Sequence, residues 1–429
     1  MPAVVTEISP PAECIPTPDP TRTSKAGRPD FWAAAADALQ PNFLVRWAFY
    51  LSVFSIPFAL LSLPGTGEKI GVTRVVQALM LSAVLSQPRV CLRLFPVALF
   101  WFLAYCGVRI VAGLWLTPEL SGLWWPSTID WLQFELPWAW LMFNVLQFPK
   151  TGRRGLWALV WGCFLCGLCH IAGIGVVDVD RGIEGRSSVF GENANVVGTT
   201  YAIAVIALVA LGMFRDVKSS HRLVLLPLVA VVGAGMAKTG SRTALLILAM
   251  GLLILVLQGS SFGSRSKRVA SLLLIGAVLA GVIWQIPTVM ERFEKLDSSK
   301  LQEQEGRVRM IPVLWDIFLR SPIYGSGPDG YQFELTRRAM PYLLKDERLI
   351  AAHNLVLLLL AETGIIGFVL FSSGLGAALR SAWRARLKPC GPVPLALILP
   401  LTIAGVIVSD PSHHRVLWFA LAYALAGEA

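Results

Sequence analysis

The chain has 429 residues, of which 55% are hydrophobic and only 15% are charged, and its mean hydropathy is +0.63. Soluble globular chains carry roughly 25% charged residues, so this composition excludes an ordinary soluble protein and indicates a membrane protein. The formal net charge of +10 then indicates attraction to anionic lipid at a membrane surface and argues against a nucleic-acid partner.

The first 42 residues differ in composition from the rest of the chain. They are polar and rich in proline, as in SPPAECIPTPDPTRTSKAGRP. They lack the short apolar core and the small-residue cleavage site of a secretory signal. Residues 1–42 are therefore predicted to be a disordered cytoplasmic tail.

Apolar runs long enough to cross a bilayer, about 20 residues each, recur along nearly all of the remaining chain. Backbone amides in lipid must be satisfied within each segment, so we predict an all-α polytopic membrane protein with about twelve transmembrane helices. The division is helices 1–9 in 43–288, a large loop in 289–352 and helices 10–12 in 353–429. The predicted spans are 43–63, 70–87, 93–116, 127–147, 155–175, 197–214, 222–238, 243–258, 269–287, 353–374, 393–409 and 414–427.

Basic residues predict the orientation of these helices, because short cytoplasmic loops carry an excess of Lys and Arg. With the N-terminus inside, the cytoplasmic segments hold eighteen Lys and Arg residues and the short outside loops hold six. Both termini are therefore predicted to be cytoplasmic, and the loop 289–352 to be outside. The six outside residues are Lys69, Arg181, Arg186, Lys238, Arg242 and Arg415.

Two outside connections place arginines beside predicted helix starts. The connection DVDRGIEGRSSVFGENANVVGTT contains Arg186 and ends in Asn193 and Asn195, which suit a turn and a helix N-cap. The turn AKTGSRTALL places Arg242 at the start of a helix, where its guanidinium and the free backbone N–H groups could jointly hold an anion. A capped loop and snorkelling to lipid headgroups are the alternative interpretations.

The loop 289–352 is too long to be a simple connection, and it carries ten basic and ten acidic residues. Its stretch RMIPVLWDIFLR, residues 309–320, has apolar residues between charged ends and predicts a helix at the membrane interface. The stretch SPIYGSGPDGY, residues 321–331, then breaks the chain with two prolines and three glycines.

The stretch AAHNLVLLLLAETGIIGF, residues 351–368, places His353 and Asn354 before an apolar run that contains Glu362. A charge inside a membrane helix is costly and marks a paired or functional position. His353 has two interpretations, a cap or interface residue and a general base, since neutral imidazole accepts protons near pH 7. Arginines suit a diphosphate and a histidine suits deprotonation of a sugar hydroxyl. Together they indicate transfer from a diphosphate-linked donor to a hydroxyl acceptor at the outer leaflet.

The spelling Cys166-x-x-Cys169-His170 matches a c-type haem attachment site. It lies inside an apolar span, where small residues favour close helix packing. A haem would need an open aqueous pocket and a second axial ligand. Packing is therefore the favoured interpretation, and no cofactor and no metal are predicted.

Four stretches occur in a characteristic order: RSSVFGENANVVGT, GSRTALLILA, GRVRMIPVLWDIFLRSPIYGSGPDGY and HNLVLLLLAETGIIG. Together they resemble the O-antigen ligase and O-antigen polymerase superfamily of bacterial inner-membrane glycosyltransferases. The resemblance is carried by the arginine-to-P-x-x-G-x-G spacing of the third stretch and the HN…E-x-G-I-I-G of the fourth. One departure is Asn193-Ala194-Asn195, where the family often has Asn-Pro-Asn, so that a rigid turn is missing.

The resemblance implies a twelve-helix fold whose periplasmic loop caps the active site, and a glycan donor linked to undecaprenyl diphosphate. It implies no metal and no nucleotide. His353 takes the place of the catalytic histidine, and Arg242 and Arg307 take the places of the arginines that hold the diphosphate. The fallback for Arg307 is Arg309, the third and weaker arginine candidate is Arg186, and the supporting residues are Asn354 and Glu362.

The sequence leaves the acceptor open. The first hypothesis is a metal-independent inverting glycosyltransferase that ligates O-antigen to lipid A–core at the periplasmic face of the inner membrane. A polymerase with a second lipid-linked glycan as acceptor, and a protein O-oligosaccharyltransferase, use the same donor and are alternatives. A transporter or flippase is an alternative of another class, kept open by the predicted intramembrane charges Arg74, Arg109 and Glu135.

Overall fold

The computed structural model describes residues 40–61, 71–178, 187–213, 219–258, 270, 300–337, 354–388, 391–408 and 415–428. Most of these residues are helical, as predicted for a polytopic membrane protein. Several shorter apolar helices accompany four that are long and apolar enough to cross a membrane: Val97–Leu116, Lys150–Ile171, Ala194–Gly212 and Leu355–Ala385. The total of twelve spans stays a prediction, and the predicted span 269–287 lies almost wholly outside the described residues, as does the predicted tail.

The helices of the first part of the chain begin and end largely where prolines and caps require. The Asn42 side chain caps α1 by accepting a hydrogen bond from the Val45 N–H at 2.9 Å. A π-helical segment, Trp131–Glu135, joins α5 to α6, where Pro137 cannot donate the usual helical hydrogen bond. These helices are α1 (Phe43–Phe54), α2 (Val72–Ala83), α3 (Pro88–Cys91), α4 (Val97–Leu116), α5 (Ser121–Asp130), α6 (Leu136–Leu146) and α7 (Pro149–Ile171).

The all-α prediction needs one correction in the connection after α7. Strands β1 (Val176–Asp178) and β2 (Ser187–Val189) pair antiparallel, with Val177 opposite Ser188. The pairing satisfies backbone groups that no helix takes up here. The later helices are α8 (Ala194–Met213), α9 (Ser219–Lys238), α10 (Arg242–Gln258), α11 (Lys300–Arg320), α12 (Gly330–Arg337), α13 (Leu355–Ala385), α14 (Val393–Val408) and α15 (Arg415–Ala426).

Residues Pro41–Ala429 form one compact unit whose helix ends gather at two opposite ends. At the first end, Arg415 at the start of α15 donates to the Ala59 carbonyl beyond α1 at 3.3 Å. At the second end, Arg384 near the end of α13 pairs with Glu428 beyond α15 at 2.6 Å. The sequence predicts that the first end is periplasmic and the second cytoplasmic, and this assignment stays a prediction.

Buried aromatic rings tie together the helices that lead to the first end. Phe102 of α4 lies edge-on to Phe371 of α13 at 5.2 Å and to Trp418 of α15 at 5.3 Å between ring centroids. Trp131 of the π-helical segment meets Trp418 at 5.2 Å. Edge-to-face pairs of this kind add stabilisation beyond apolar burial. They therefore stabilise the packing of α4, α13 and α15 against one another.

The predicted interfacial helix over 309–320 is confirmed as a helix, but it begins earlier, as α11 from Lys300. The position of α11 at a membrane interface stays a prediction. Successive helical residues are rotated by about 100° around the axis, so the second half of α11 has three faces. The buried face holds Met310, Val313, Leu314 and Ile317, the exposed apolar face Ile311, Trp315 and Leu319, and the charged face Asp316 and Arg320.

Candidate active site

Helix α13 is interrupted at Gly364, where φ is 62° and ψ is −163°. Residues with a side chain rarely adopt this backbone conformation, whereas glycine does so without a steric penalty. A helix broken in this way leaves carbonyl and N–H groups without their helical partners. Those groups need other partners, because Thr363 and Gly364 are buried.

The stretch SPIYGSGPDG, residues 321–330, supplies these partners and is called the docked turn. Its backbone bonds to residues on both sides of the break, where a continuous helix would bond to itself. The two motifs that carried the sequence resemblance are thus one structural unit. The bonds are Ser326 N to Ala361 O (2.7 Å), Gly327 N to Glu362 O (2.9 Å), Ile365 N to Pro322 O (2.8 Å) and Ile366 N to Ile323 O (3.5 Å).

Glycines make this close approach possible. A Cβ added to Gly325 would lie 2.4 Å from the Glu362 carbonyl carbon, and one added to Gly364 would lie 2.3 Å from the Ile323 carbonyl oxygen. Both glycines have positive φ, 73° and 62°. The glycines of the P-x-x-G-x-G and E-x-G patterns are therefore required by backbone contact.

Glu362, a predicted supporting residue, is buried beside the docked turn with 3% of its surface exposed. Its Oε1 accepts the backbone N–H of Asp329 at 3.0 Å, and its Oε2 accepts a hydrogen bond from Arg109 Nη1 at 3.2 Å. Arg109 also donates to the hydroxyls of Thr128 and Ser127 at 3.1 and 3.3 Å. Glu362 therefore joins the docked turn to α4 and α5.

The sequence left a capping role open for His353, but the N-cap of α13 is Asn354. Its Oδ1 accepts the N–H of Leu357 at 3.0 Å, and its carbonyl accepts the N–H of Leu358 at 2.9 Å. His353 is the residue before this cap and lies outside the described residues, so its catalytic role stays a prediction.

Arg307 and Arg309 lie in the first half of α11. The structure describes the side chains of this helix from Met310 onwards, so those of the two arginines are not among them. Immediately after them, the buried face of α11 packs against Leu358 and Ala361 of α13. The segment that carries both arginines is thus continuous with a helix face fixed to the first turns of α13.

Arg242 is the first residue of α10, which confirms the predicted helix start. Ser241 Oγ caps the helix by accepting the N–H of Ala244 at 3.3 Å. A Cβ added to Gly198 in α8 would lie 2.7 Å from Thr239 Oγ1, so α8 and the turn before α10 are in close contact. The first turns of α8 line a cavity together with Ala59 and Arg415, so the half-buried Arg242 also lies at the first end.

The connection before α8 confirms one expectation. Asn193 Oδ1 accepts the N–H of Asn195 at 2.9 Å as α8 begins at Ala194, so Asn193 acts as the predicted cap. Arg186 lies outside the described residues. Its neighbour Ser187 is buried and shares a hydrogen bond of 2.9 Å with His170 Nε2.

The residues of the haem-like spelling are packed inside the bundle. Cys166 is buried and accepts a hydrogen bond from the Tyr201 hydroxyl at 3.3 Å. The ring of His170 is buried and nearly parallel to that of Tyr201, with 6.3 Å between centroids. These contacts agree with the packing interpretation. Within the described stretches, no group of three or more His, Cys, Asp or Glu side chains could hold a metal ion.

The charges predicted inside the membrane all have partners of opposite sign at the first end. Arg109 pairs with Glu362, Glu135 pairs with Arg415 at 3.4 Å, and Arg74 pairs with Asp130 at 2.6 Å. Sequence reasoning found the charges but not their partners. The cost of an unpaired charge in lipid is the signal that could have prompted the search for them.

Among the predicted site residues that the structure describes with side chains, Arg242, Asn354 and Glu362 share the first end. The end of α13 contacts Glu428 at the second end, so the start of α13, with Asn354, lies at the first. Residues 227–372 match the family model described as O-antigen ligase.

The resemblance to the O-antigen ligase superfamily is confirmed. The O-antigen ligase match includes the docked turn, Arg242, Arg307, His353 and Glu362, and it does not include Arg109. This family match implies a membrane enzyme that transfers glycans, with a lipid-linked glycan and a lipid acceptor as partners in general terms. No curated protein matches the chain.

Proposed function

We propose that the chain is a glycosyltransferase that moves a polysaccharide from undecaprenyl diphosphate to a hydroxyl on lipid A–core, at the periplasmic face of the bacterial inner membrane. The observation that carries this proposal is the O-antigen ligase match at 227–372, which contains Arg242, Arg307 and His353. It is supported by the position of Arg242 and Asn354 at the same end of the bundle.

In the proposed reaction, His353 accepts the proton of the acceptor hydroxyl as that oxygen attacks the anomeric carbon of the first sugar. The bond from this carbon to the diphosphate oxygen breaks, and the lipid diphosphate leaves with the electron pair. Arg242 and Arg307 stabilise the negative charge that develops on it, as fixed cations do in a water-poor site. In-line attack inverts the anomeric centre, and no metal takes part.

Arg309 and Arg186 are the further arginines of the proposed site. Arg309 replaces Arg307 if the register of the family motif differs by two residues. Arg186 directly precedes Ser187, whose hydrogen bond to His170 anchors that strand at the first end. The lipid tail of the donor lies among the helices, and the chain of 289–352 covers the sugars.

We choose ligation because the matching family model is described as O-antigen ligase, and lipid A–core is the acceptor proposed for it. A polymerase or a protein O-oligosaccharyltransferase would use the same donor and the same residues, so these alternatives are decided by the product. Arg74, Arg109 and Glu135, the charges that kept a transporter open, are each in an ion pair, so a structural role is sufficient to account for them.

The test is reconstitution of the full chain in liposomes with an undecaprenyl-diphosphate-linked glycan. Lipid A–core, a second lipid-linked glycan and a serine-containing peptide are supplied in separate reactions. We expect glycosylated lipid A–core, with inverted configuration at the new linkage and with no loss of rate in a chelator.

Product on the second lipid-linked glycan alone would assign a polymerase, and product on the peptide alone would assign protein glycosylation. No product with any acceptor, together with movement of the lipid-linked glycan across the bilayer, would overturn the proposal in favour of a flippase.

A further inference from the structure

We propose that Arg109 and Glu362 form a positioning pair for the transfer site. The pair holds the docked turn in the break of α13, and the docked turn in turn fixes α11 against the start of α13. The expected effect on the transfer rate rests on the proposed function. The claim that the pair holds the docked turn does not, and Arg109 lies outside the residues matched to the family model.

Both side-chain oxygens of Glu362 are hydrogen-bond acceptors, which suits a carboxylate. Each oxygen of Glu362 accepts an N–H, Oε1 from Asp329 and Oε2 from Arg109. A protonated acid or an amide would present a hydrogen to one of these two donors. A carboxylate with 4% of its side chain exposed is costly unless it is paired, and Arg109, with 17% exposed, is the cation beside it.

The geometry of Arg109 also explains why an arginine stands in α4. Its three nitrogens reach three different acceptors, the Glu362 carboxylate and the hydroxyls of Ser127 and Thr128. A lysine could satisfy the charge with one nitrogen but could not reproduce this fork. Arg109 therefore fixes the carboxylate relative to α5.

The docked turn is also held on its other side by α4. Thr117 Oγ1, one residue after α4, donates to the Pro328 carbonyl at 3.2 Å. A Cβ added to Gly327 would lie 2.8 Å from Thr117 Cγ2. The turn thus lies between α4 and α13, with Glu362 and Thr117 as its two polar anchors.

The break in α13 gives this arrangement an alternative state. If the turn leaves, the carbonyls of Ala361 and Glu362 can accept the N–H groups of Ile365 and Ile366, as in an ordinary helix. The first turns of α13 would then tilt relative to the rest of the helix. The face of α11 that packs on Leu358 would then shift relative to α13. This shift would change the proposed positions of His353 and Arg307.

Glu362→Gln, Arg109→Gln, Arg109→Lys and the double Gln variant test the pair in the purified full chain. Arg74→Gln is the matched control, because Arg74 and Asp130 form an ion pair of the same chemistry at the same end, with 43% and 39% of their side chains exposed. Three quantities are measured on each sample: hydrogen exchange of the 321–331 amides, the rate of single-turnover transfer and the affinity for the donor.

We expect Glu362→Gln to speed amide exchange in 321–331 about tenfold or more and to slow transfer by about tenfold or more, as for loss of a buried charged hydrogen bond. Donor affinity should change by less than about threefold, because no proposed donor contact is removed. Arg109→Gln should act in the same direction, and Arg109→Lys should restore part of the rate. The double variant should be no worse than the worse single variant.

Unchanged exchange in 321–331 in Glu362→Gln would overturn the inference, as would effects that simply add in the double variant. A loss of transfer that follows donor affinity would instead place Arg109 or Glu362 at the donor. If the wild-type chain transfers no glycan, the proposed function fails, and the exchange data alone decide whether the pair holds the turn.

Discussion

The two ends of the bundle treat their charges and helix ends differently. At the first end, α13 is broken at Gly364, and the Arg109–Glu362 and Arg415–Glu135 pairs have between 4% and 17% of their side chains exposed, whereas Arg74–Asp130 at the same end is exposed. At the second end, α13 continues to Ala385, and Arg384 pairs with Glu428 with 52% and 33% exposed. Breaking a buried ion pair costs about 3–5 kcal/mol, whereas an exposed pair contributes about 0–1 kcal/mol.

The irregular helix and the buried ion pairs therefore occur at the same end, the first. Buried charges and broken helices are unfavourable in lipid unless they are partnered, and they concentrate where function requires them. The second end has the features of simple anchoring, basic residues at helix ends in exposed positions. Each prediction below changes a residue at one end or in the helix that joins the two ends.

The largest effect is expected from His353→Ala. A general base contributes about 10²–10⁴-fold to a rate, whereas a helix cap contributes only about 1 kcal/mol to stability. We expect the variant to fold and bind donor while single-turnover transfer falls by that factor. Asn354→Ala should be milder, because an amide cannot take the proton. More than about a tenth of wild-type transfer in His353→Ala would rule out the general-base role.

The next effect is expected from Arg242→Ala and Arg307→Ala. Loss of one group that stabilises a developing negative charge typically costs about 10²–10³-fold in rate. Lysine at either position should rescue only part of the rate, because an ammonium cannot make the bidentate contact of a guanidinium with phosphate. Transfer rates at equal protein level give the answer, with Arg93→Ala as control. Arg93 follows α3 at the second end, since Gln87 at the start of α3 accepts the N–H of Asn42 at the start of α1. Wild-type transfer in either alanine variant removes that arginine from the site.

An effect of stability rather than chemistry is expected from Gly364→Ala. The added Cβ would lie 2.3 Å from the Ile323 carbonyl oxygen at a φ of 62°, so we expect a loss of at least about 2 kcal/mol. Gly376→Ala in the same helix is the control, because its Cβ would meet nothing within 4 Å. That change should be neutral or stabilising by up to about 1 kcal/mol. Equal melting temperatures of the two variants would contradict the docked turn.

The smallest effect is expected from Arg384→Ala at the second end, about 0–1 kcal/mol. Hydrogen bonds from Ser381 and Arg384 lower the pKa of Glu428. The contribution of this pair is therefore present above the unfolded-state pKa of that carboxylate and lost as the pH falls through its folded-state pKa. Melting temperatures of wild type and variant should converge at acid pH. A loss of several kcal/mol at neutral pH would show that the second end is not simple anchoring.

Hydropathy and capping patterns were sufficient to predict most helices, including the helix starts at Arg242 and after Asn354. These features depend on residues close in sequence. The docked turn could not be predicted, because it requires backbone bonds between residues 35 and 43 positions apart and a break in an apolar run that has the pattern of a continuous helix. Pro322, Gly325 and Gly327 indicated a turn, but not that this turn packs into the break of α13. The Arg109–Glu362 pair joins residues 253 positions apart, and the sequence indicated only that each charge needed a partner.

The most direct test of the account is the place where the lipid-linked glycan binds. A donor with a photoactivatable group on its first sugar is bound to the reconstituted wild-type chain, irradiated and mapped by peptide mass spectrometry. We predict labelling in the peptides that contain Arg242, Arg307 and His353, with competition by unlabelled donor. Competed labelling in the peptides around Arg93 or Arg384, at the second end, with none at the first, would contradict it.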